Sequence, residues 1–315
     1  MHAVVLREGE VLFEERPEPV PGDTQVLLAV RAAGLNGADM LQRQGRYPAP
    51  QGVAADVPGL ETAGEVVAVG SRVTRAAVGD RVMGLVGGGG QATMAVVDEA
   101  QLLPVPDGIG WPEAGGFSEV FATAHDALFT QCGLTVGDRL LVTGAAGGVG
   151  VAAVQLGVVA GATVVASVRD PQRRKEVLAL GADEVVGADD IAEHGPYDVV
   201  LELVGAACLP QALGALATGA RASVIGIGSG SKIDLDLRVL MGNRARIGGS
   251  TLRARSSAER AQVVASVAVH VLPLLASGKV RVPVCDTFPM ADAALAYDRF
   301  ASGSKLGKVV LVDES

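Results

Sequence analysis

The sequence predicts an α/β protein with a doubly wound parallel sheet and a second, β-rich domain. The first observation is length: single hydrophobic cores usually stop growing at about 250 to 300 residues, and this chain has 315. The second is a change of pattern near residue 116, where short alternating apolar segments give way to buried-type strands that alternate with helices. The third is a glycine-rich turn at residues 142–150, "VTGAAGGVG", at a strand-to-helix junction.

The β-rich part is predicted from short alternating segments separated by Pro, Gly and Asp turns, among them "HAVVL", "QVLLAVRAAGL" and "AGEVVAVG". The final "KLGKVVLVD" is strand-like again, so the chain is expected to return to its first domain. We therefore expect one domain formed by residues 1–117 and 268–315, and a second formed by residues 118–267.

The second part contains brief apolar runs with helical stretches between them. The runs are "RLLVTGA", "ATVVASV", "YDVVLELVG" and "RASVIGIG". Such alternation implies right-handed crossovers and a doubly wound parallel sheet. Two further helices are predicted near the end, a long one in "SSAERAQVVASVAVHVLPLLASG" that starts at Ser256 or Ser257, and one in "FPMADAALAYDRFASG".

Charge and composition exclude several classes of protein. A net charge of -9 argues against a nucleic-acid partner, because binding to phosphate backbones needs clustered Lys and Arg. No apolar stretch reaches the length of a membrane span, and the first residues do not form a secretory signal. We expect a cytoplasmic protein without a membrane partner. Cys132, Cys208 and Cys285 are far apart, which favours free thiols over a disulfide framework or a four-thiolate zinc site.

The glycine-rich turn predicts a dinucleotide site. Gly144 allows a tight turn, Gly147 and Gly148 let backbone amides approach a pyrophosphate, and Gly150 lets the helix lie close to the strand. The helix is expected to begin at about Val149, where its N-terminal N–H groups favour phosphates. A merely structural turn is the alternative.

The residues after the next strand favour NADPH over NADH. An acid that would bind the ribose 2′-hydroxyl of NADH is absent from the strand's end, where Ser167, Arg169 and Arg173 offer a hydroxyl and cations suited to a 2′-phosphate. Asp170 is the counter-argument, because it reaches the ribose if the strand ends later. Ordinary surface arginines at a helix start are the other interpretation.

A family resemblance follows from the order of several motifs along almost the whole chain. These are "AAGLNGADMLQRQGRYP", "VPGLETAGEVVAVG", "VGDRVMGLVGGGG", "VTGAAGGVGVAAVQL", "GSTLRARS" and "LGKVVLVD". The chain resembles the zinc-free quinone oxidoreductases of the zeta-crystallin type, within the medium-chain dehydrogenase/reductase superfamily. The resemblance implies a GroES-like catalytic domain built from both chain ends, a Rossmann domain between them, an active site in a cleft and a homodimer.

The positions that bind zinc in zinc-dependent relatives differ here. Those relatives carry a Cys where this chain has Asn36, and a His-Glu pair where it has Leu60 and Glu61. Asn and Leu are poor zinc ligands, so no metal is expected. Without a Lewis acid, a nicotinamide can reduce only an activated acceptor, such as a quinone or an α,β-unsaturated carbonyl. The expected protein is an NADPH-dependent quinone oxidoreductase.

The resemblance also implies roles for single residues. Asn36 and Tyr47 match family positions that line the nicotinamide cleft, and we expect the amide to hold an oxygen and the phenol to donate a hydrogen bond or proton. Their ordinary alternatives are a turn-forming Asn and a packed Tyr before Pro. Six further residues are expected at the cofactor: Thr123, Gly205, Gly226, Ile227, Arg253 and Lys308, with Lys308 at the adenosine end.

The chain also departs from the family pattern. Gln91 and Thr93 stand where relatives have aromatic residues near the cleft, and Ala188 replaces a tyrosine that often flanks the 2′-phosphate. His125 is expected on a helix surface beside Asp126, and a proton donor at the ligand is the alternative. These departures keep two alternatives open: an enoyl-thioester reductase, or an NADPH-binding protein with little catalytic activity. A zinc alcohol dehydrogenase is a distant third.

Overall fold

Antiparallel strands dominate the first third of the computed structural model, which describes residues 1–313. Proline and glycine turns interrupt the chain, so the strands are short. The strands are β1 (His2–Arg7), β2 (Glu10–Glu15), β3 (Gln25–Gly34), β4 (Glu61–Val69), β5 (Arg81–Leu85), β6 (Met94–Asp98) and β7 (Leu102–Pro104). Three helices lie among and after them: α1 (Gly37–Arg43), α2 (Trp111–Gly115) and α3 (Ser118–His125).

Strands and helices alternate in the middle of the chain, as the sequence predicted. The strands are β8 (Arg139–Val142), β9 (Thr163–Ser167), β10 (Glu184–Val186), β11 (Tyr197–Glu202), β12 (Leu216–Val224) and β13 (Arg246–Gly249). The helices are α4 (Gly148–Val159), α5 (Arg174–Leu178), α6 (Leu209–Gly214) and α7 (Leu237–Asn243).

The last part of the chain holds α8 (Ser257–His270), α9 (Leu272–Ala276), β14 (Val284–Pro289), α10 (Ala293–Ala301) and β15 (Lys308–Val312). Ser256 caps α8 in a capping box with Glu259. The long helix expected from Ser256 or Ser257 is two helices in the structure. Pro273 lies in the first turn of α9, where its missing N–H is tolerated; inside a continuous helix it would break a hydrogen bond.

The middle strands form one six-stranded parallel sheet in the order β10-β9-β8-β11-β12-β13. Leu140, Leu141 and Val142 of β8 are fully buried, which explains their continuous apolar run. The strand order reverses between β8 and β11, and ligands of such open sheets bind at the carboxyl ends of the strands at this point. The predicted doubly wound sheet is confirmed.

The strands of the two chain ends form a seven-stranded sheet, with β1 and β2 as a separate hairpin. β3 pairs antiparallel with β4 and β15, and β15 pairs parallel with β14. The core of this unit includes Leu28, Val30, Tyr297 and Leu311. The predicted β-rich domain with a returning C-terminal strand is confirmed as part of the fold class.

The described residues divide into two units, one of residues 1–122, 252–303 and 308–313, the other of residues 123–251 and 304–307. The sequence predicted the second boundary at residue 267, whereas α8 belongs to the first unit. Two contacts attach α8 to the first unit: Gln101 donates a hydrogen bond to Ser257 (2.9 Å) and accepts one from Arg260 (3.0 Å). Residues 314 and 315 of the predicted segment lie outside the described residues.

Within residues 1–313, no helix has both the length and the apolar character that a membrane span requires.

Candidate functional site

The glycine-rich turn of the second unit connects β8 to α4, with Gly147 as the N-cap residue. A Cβ at Gly150 would lie 2.5 Å from the carbonyl oxygen of Gly144, so the helix approaches the turn more closely than any side chain permits. Within residues 1–313, the backbone N–H groups of Val149 and Gly150 make no hydrogen bond, whereas the turn at Gly147 forms a parallel bridge with Gly307. Free N–H groups at the start of a 12-residue helix are an anion site. The turn therefore fits the pyrophosphate of a dinucleotide.

Glu202, which the sequence analysis missed, organises the loop across the switch point from this turn. Its Oε1 accepts hydrogen bonds from the backbone N–H groups of Val204 (2.6 Å) and Gly205 (2.7 Å) and from the Thr143 hydroxyl (2.8 Å). Its Oε2 is buried without a partner in the described chain, and burial raises the pKa of Glu202. A charged residue at the end of the apolar strand "YDVVLE" was the signal that could have identified it.

Four predicted cofactor residues lie at separate positions of α3 and the strand ends. Gly205 follows β11 and is held by Glu202, while Gly226 follows β12 and donates to the backbone carbonyl of Glu202 (3.1 Å). Ile227 is 42% exposed, and Thr123 on α3 is buried. Gly205, Gly226 and Ile227 therefore lie beside the strand ends of the switch region, and their contact with a cofactor stays a prediction.

The residues predicted to bind a 2′-phosphate differ in their availability. Ser167 ends β9 and Arg169 is exposed, and neither side chain has a hydrogen-bond partner within residues 1–313. Arg173 is occupied: it donates to both carboxylate oxygens of Glu176 (3.0 and 2.9 Å) and to the carbonyl of Ser304 (3.2 Å). Asp170 accepts hydrogen bonds from the Ser304 hydroxyl and from the backbone N–H of Gln172, so its two carboxylate oxygens are already engaged.

Arg174 is a further cation at this place. Its Nε is buried and has no partner among the described residues. A Cβ at Gly187 would lie 3.0 Å from its Nη2, and Gly187 follows Val186, which pairs with Ser167 in the sheet. Arg174 therefore lies near Ser167 with hydrogen-bonding capacity to spare. Arg174 belongs to the run "RDPQRR", in which Arg173 was the predicted phosphate ligand.

In the first unit, the predicted catalytic Asn36 is part of a buried polar cluster with Lys308 and Glu61. Lys308 Nζ donates to Glu61 Oε1 (2.6 Å), Asn36 Oδ1 (2.8 Å) and the carbonyl of Leu35 (2.7 Å). The Asn36 amide donates in turn to Glu61 Oε1 (2.9 Å). All three N–H groups of Lys308 are thereby used, so no donor is left for the predicted contact with the adenosine end of a cofactor.

This cluster does not fit a zinc ion. Asn36, Leu60 and Glu61 offer one amide, one alkyl group and one carboxylate, and an ammonium already lies 2.6 Å from that carboxylate. Across the described part of the chain, no group of three or more His, Cys, Asp or Glu side chains is placed to hold a metal ion.

The second predicted catalytic residue, Tyr47, is held by Arg253. The guanidinium carbon lies 5.2 Å from the centre of the Tyr47 ring, and Nη1 donates to the Tyr47 carbonyl (3.1 Å). Arg253 is buried and is itself fixed by Gly87 (2.7 Å) and Gln42 (2.8 Å). This internal role differs from the predicted contact of Arg253 with a cofactor. Burial raises the pKa of Tyr47, and its hydroxyl has no partner within residues 1–313.

Two departures from the family pattern prove to be interior. Gln91 is fully buried and links Asp39, to which it donates (3.2 Å), with Tyr297, from which it accepts (2.8 Å). His125, expected on a helix surface, is 4% exposed and packs against the ring of Phe129. Thr93 bonds the backbone of His2 at the edge of β1. Gln91 and His125 therefore contribute to packing rather than to an exposed surface.

Two known protein families match this chain and define its class. Residues 22–131 match the family described as "Alcohol dehydrogenase GroES-like domain", and residues 148–268 match "Zinc-binding dehydrogenase". The chain is thus an oxidoreductase of the medium-chain dehydrogenase/reductase type.

Individual similar proteins indicate the family within this class. A quinone oxidoreductase of Pseudomonas aeruginosa is 30% identical over 314 residues, which is 96% of each chain. The polyketide synthase GfsB of Streptomyces halstedii is 40% identical over 202 residues, 62% of this chain and 4% of the synthase. A mycobacterial protein solved as a complex with NADPH has a TM-score of 0.88 at 25% identity, covering 99% of this chain and 100% of that one. The chain belongs to the zinc-free quinone oxidoreductase family, as its motifs predicted.

Proposed function

We propose that the chain is an NADPH-dependent oxidoreductase that reduces quinones or related α,β-unsaturated carbonyls without zinc. The observation that carries this proposal is the Tyr47 hydroxyl, a phenol held in place by Arg253 that has no partner among residues 1–313. Burial raises its pKa, so Tyr47 is a neutral O–H donor at neutral pH. A quinone or enone oxygen needs such a donor as negative charge develops on it.

The division of roles follows from the residues present. When bound, NADPH would supply the hydride. The N-terminus of α4 and the turn at Gly147 would hold its pyrophosphate. Tyr47 Oη would donate a hydrogen bond, and then a proton, to the acceptor oxygen, while Asn36 would offer an amide N–H to the same region. The chain thus binds, orients and protonates, and the acceptor needs no metal because its carbonyl is already activated.

NADPH is preferred over NADH in this proposal because the end of β9 carries unpartnered cationic groups. Ser167, Arg169 and Arg174 provide one hydroxyl and two guanidinium groups, and a phosphate dianion accepts bidentate hydrogen bonds from guanidinium. Asp170, the residue that would favour NADH, is bound to Ser304 instead.

The test follows the loss of absorbance at 340 nm with NADPH and, separately, NADH, using menadione and 9,10-phenanthrenequinone as acceptors. Tyr47→Phe should lower kcat about 100-fold, as loss of a general acid does, and leave the Kd for NADPH within twofold. Tyr197→Phe is the control, because it removes a buried hydroxyl that bonds the Ile191 carbonyl in the second unit. An unchanged kcat in Tyr47→Phe would mean that Tyr47 only packs in the structure and donates no proton. NADPH binding without turnover on any acceptor would favour a cofactor-binding protein without catalytic activity.

A second candidate is reduction of an enoyl thioester, favoured by the 40% identity to part of the polyketide synthase GfsB. Both reactions place negative charge on a carbonyl oxygen, so the same phenol would serve either. Crotonyl-coenzyme A distinguishes them: a kcat/KM above that for the quinones would make the thioester the better substrate, and no turnover would dismiss it.

We also propose a homodimer formed at the sheet edge of the second unit. β13 is the edge strand, and Arg246, Gly248 and Gly249 on it are exposed. The neighbouring α7 has no buried residue, and its Leu237 and Met241 are 64% and 77% exposed. An unpaired edge strand beside an exposed apolar helix face can bind the same surface of a second molecule of this chain. Met241→Lys should shift the mass measured by light scattering toward the monomer, whereas Val269→Lys, on the first unit, should not.

We place the chain in the cytoplasm in this proposal. All three cysteines are free, and two of them, Cys132 and Cys208, are buried, which suits a reducing compartment. Fractionation of cells that produce the protein tests this location.

A further inference from the structure

Lys308 is a buried lysine whose ammonium is enclosed by oxygens. Its side chain is 3% exposed, and its three acceptors come from two segments: Leu35 and Asn36 after β3, and Glu61 at the start of β4. The three distances are 2.7, 2.8 and 2.6 Å, which are short for N–H···O hydrogen bonds and typical of charge-assisted ones.

The chemistry of the two charged groups fixes the orientation of the Asn36 amide. An ammonium has donors only and a carboxylate has acceptors only. Oδ1 must therefore face Lys308 Nζ, and Nδ2 must face Glu61 Oε1 at 2.9 Å. A rotation of the amide by 180° would set N–H against the ammonium and C=O against the carboxylate. Lys308, Asn36 and Glu61 thus form a closed ring of hydrogen bonds with one favourable arrangement.

The surrounding backbone leaves no room for another arrangement. Glu61 Oε2 accepts from the backbone N–H of Glu119 (2.8 Å), which fixes the carboxylate from its other side. A Cβ at Gly34 would lie 2.5 Å from Glu61 Oε1 and 2.9 Å from Lys308 Cε, so only glycine permits this approach. Glu61 and Lys308 are thereby fixed by neighbouring backbone of the first unit.

We infer that Lys308 is a positioning residue, which holds the Asn36 amide so that one N–H of Nδ2 is available to a carbonyl oxygen of the ligand. This inference rests on the proposed function, in which Asn36 meets the ligand. One Nδ2 hydrogen is taken by Glu61; the nearest acceptor for the other is the Gly34 carbonyl at 3.4 Å, too long for a strong bond. The ligand group selected by Asn36 is therefore an acceptor, such as the carbonyl of a quinone or enone.

The sequence offers an unusually direct test, because it contains two asparagines, Asn36 and Asn243. Protein labelled with ¹⁵N-asparagine gives two side-chain NH₂ signals, which Asn243→Gln assigns. Asn243 lies on α7 in the second unit and serves as the internal reference. The measured quantity is the rate at which the NH₂ protons exchange with water.

Two variants are compared with the natural chain, Lys308→Met and the neutral pair Glu61→Gln with Lys308→Met. The pair is included because Lys308→Met alone leaves a buried carboxylate without its counter-charge, which can unfold a protein. In the folded variants we expect exchange at Asn36 to become at least about tenfold faster, the equivalent of one hydrogen bond to a charged group, with no change at Asn243. Unchanged exchange at Asn36 in the folded neutral pair would overturn the inference.

A kinetic comparison separates this inference from the proposed function. The neutral pair should lose about tenfold in kcat/KM for menadione and retain the Kd for NADPH, because its cofactor residues are untouched. The exchange measurement needs neither cofactor nor acceptor. A chain that reduces no quinone would therefore overturn the proposed function, while the exchange rates would still decide whether Lys308 positions Asn36.

Discussion

Arg253 holds Tyr47 at two points, with its guanidinium 5.2 Å from the ring centre and a hydrogen bond of 3.1 Å to the Tyr47 carbonyl. The arginine lies 206 residues further along the chain, so this contact joins two distant parts of the first unit, the loop after α1 and the residues just before α8. An acid that must reach a substrate oxygen within a few tenths of an ångström needs such a support. The contact gives Arg253 a role that does not depend on a cofactor.

The first prediction concerns this support. Arg253→Met keeps an unbranched stem but removes the guanidinium and its hydrogen bonds, so we expect kcat on menadione to fall about 10- to 100-fold because the phenol loses its position. The Kd for NADPH, measured by fluorescence titration, should stay within twofold. Arg299→Met is the control, since Arg299 also belongs to the first unit but bonds Asp286 (2.7 Å). If the Kd for NADPH rose by the same factor as kcat fell, Arg253 would contact the cofactor, as the sequence predicted.

The second prediction concerns the choice of cofactor. Arg174→Ala should weaken NADPH binding by about 1 to 3 kcal/mol, the value of charge-assisted hydrogen bonds to a phosphate, and leave NADH binding nearly unchanged. Arg173→Ala should have the smaller effect, because Glu176 and Ser304 already occupy that guanidinium. Calorimetric titration of both variants with both cofactors decides between them. Equal losses for NADPH and NADH in Arg174→Ala would contradict a contact with the 2′-phosphate.

The fold could be predicted because its determinants are local. Runs such as "RLLV" and "TVVAS" are buried on both faces, and the sequence alone displays that property. The turn before α4 was recognisable for the same reason, since its strand, glycines and helix are contiguous.

The roles of several site residues could not be predicted, because they depend on contacts between distant segments. Glu61 and Lys308 are 247 residues apart, and nothing in either local sequence indicates that they share an ion pair. The sequence predicted Gln91 near the cleft, as a difference from the family pattern. In the structure its side chain is in the interior, where it bonds Asp39 and Tyr297. Single-sequence patterns predict which residues are buried better than they predict which polar groups meet.

The third prediction concerns the close approach of α4 to its turn. A Cβ at position 150 would lie 2.5 Å from the Gly144 carbonyl and 2.6 Å from Ala145 Cα, both backbone atoms that cannot move aside. Gly150→Ala should therefore lower the free energy of unfolding by about 1 to 3 kcal/mol and weaken NADPH binding. Gly214→Ala in α6 is the control, because its Cβ meets nothing within 4 Å. Urea unfolding of both variants checks the difference, and an unaffected Gly150→Ala would show that the turn tolerates a side chain.

The fourth prediction concerns Asp39, a fully buried carboxyl whose pKa is raised by burial from 3.8 to about 6. Backbone N–H groups of Asn36 (2.8 Å) and Gly59 (3.2 Å) bind it and oppose this rise, but burial prevails. The unfolded chain loses the Asp39 proton at a lower pH than the folded chain does, so deprotonation favours unfolding. The penalty therefore develops as pH rises from about 4 to above 6, and reaches on the order of 3 kcal/mol.

Asp39→Asn removes this titration. Its altered hydrogen bonds change the free energy of unfolding by an amount that does not depend on pH. The free energy of unfolding of the variant, minus that of the natural chain, should therefore increase by about 1 kcal/mol between pH 5 and pH 7.5. Urea unfolding at several pH values gives this difference, and Asp234→Asn, at an exposed position, supplies the reference. A difference that stays flat would mean that Asp39 is ionised throughout this range, and that its three donors from Asn36, Gly59 and Gln91 outweigh the cost of burial.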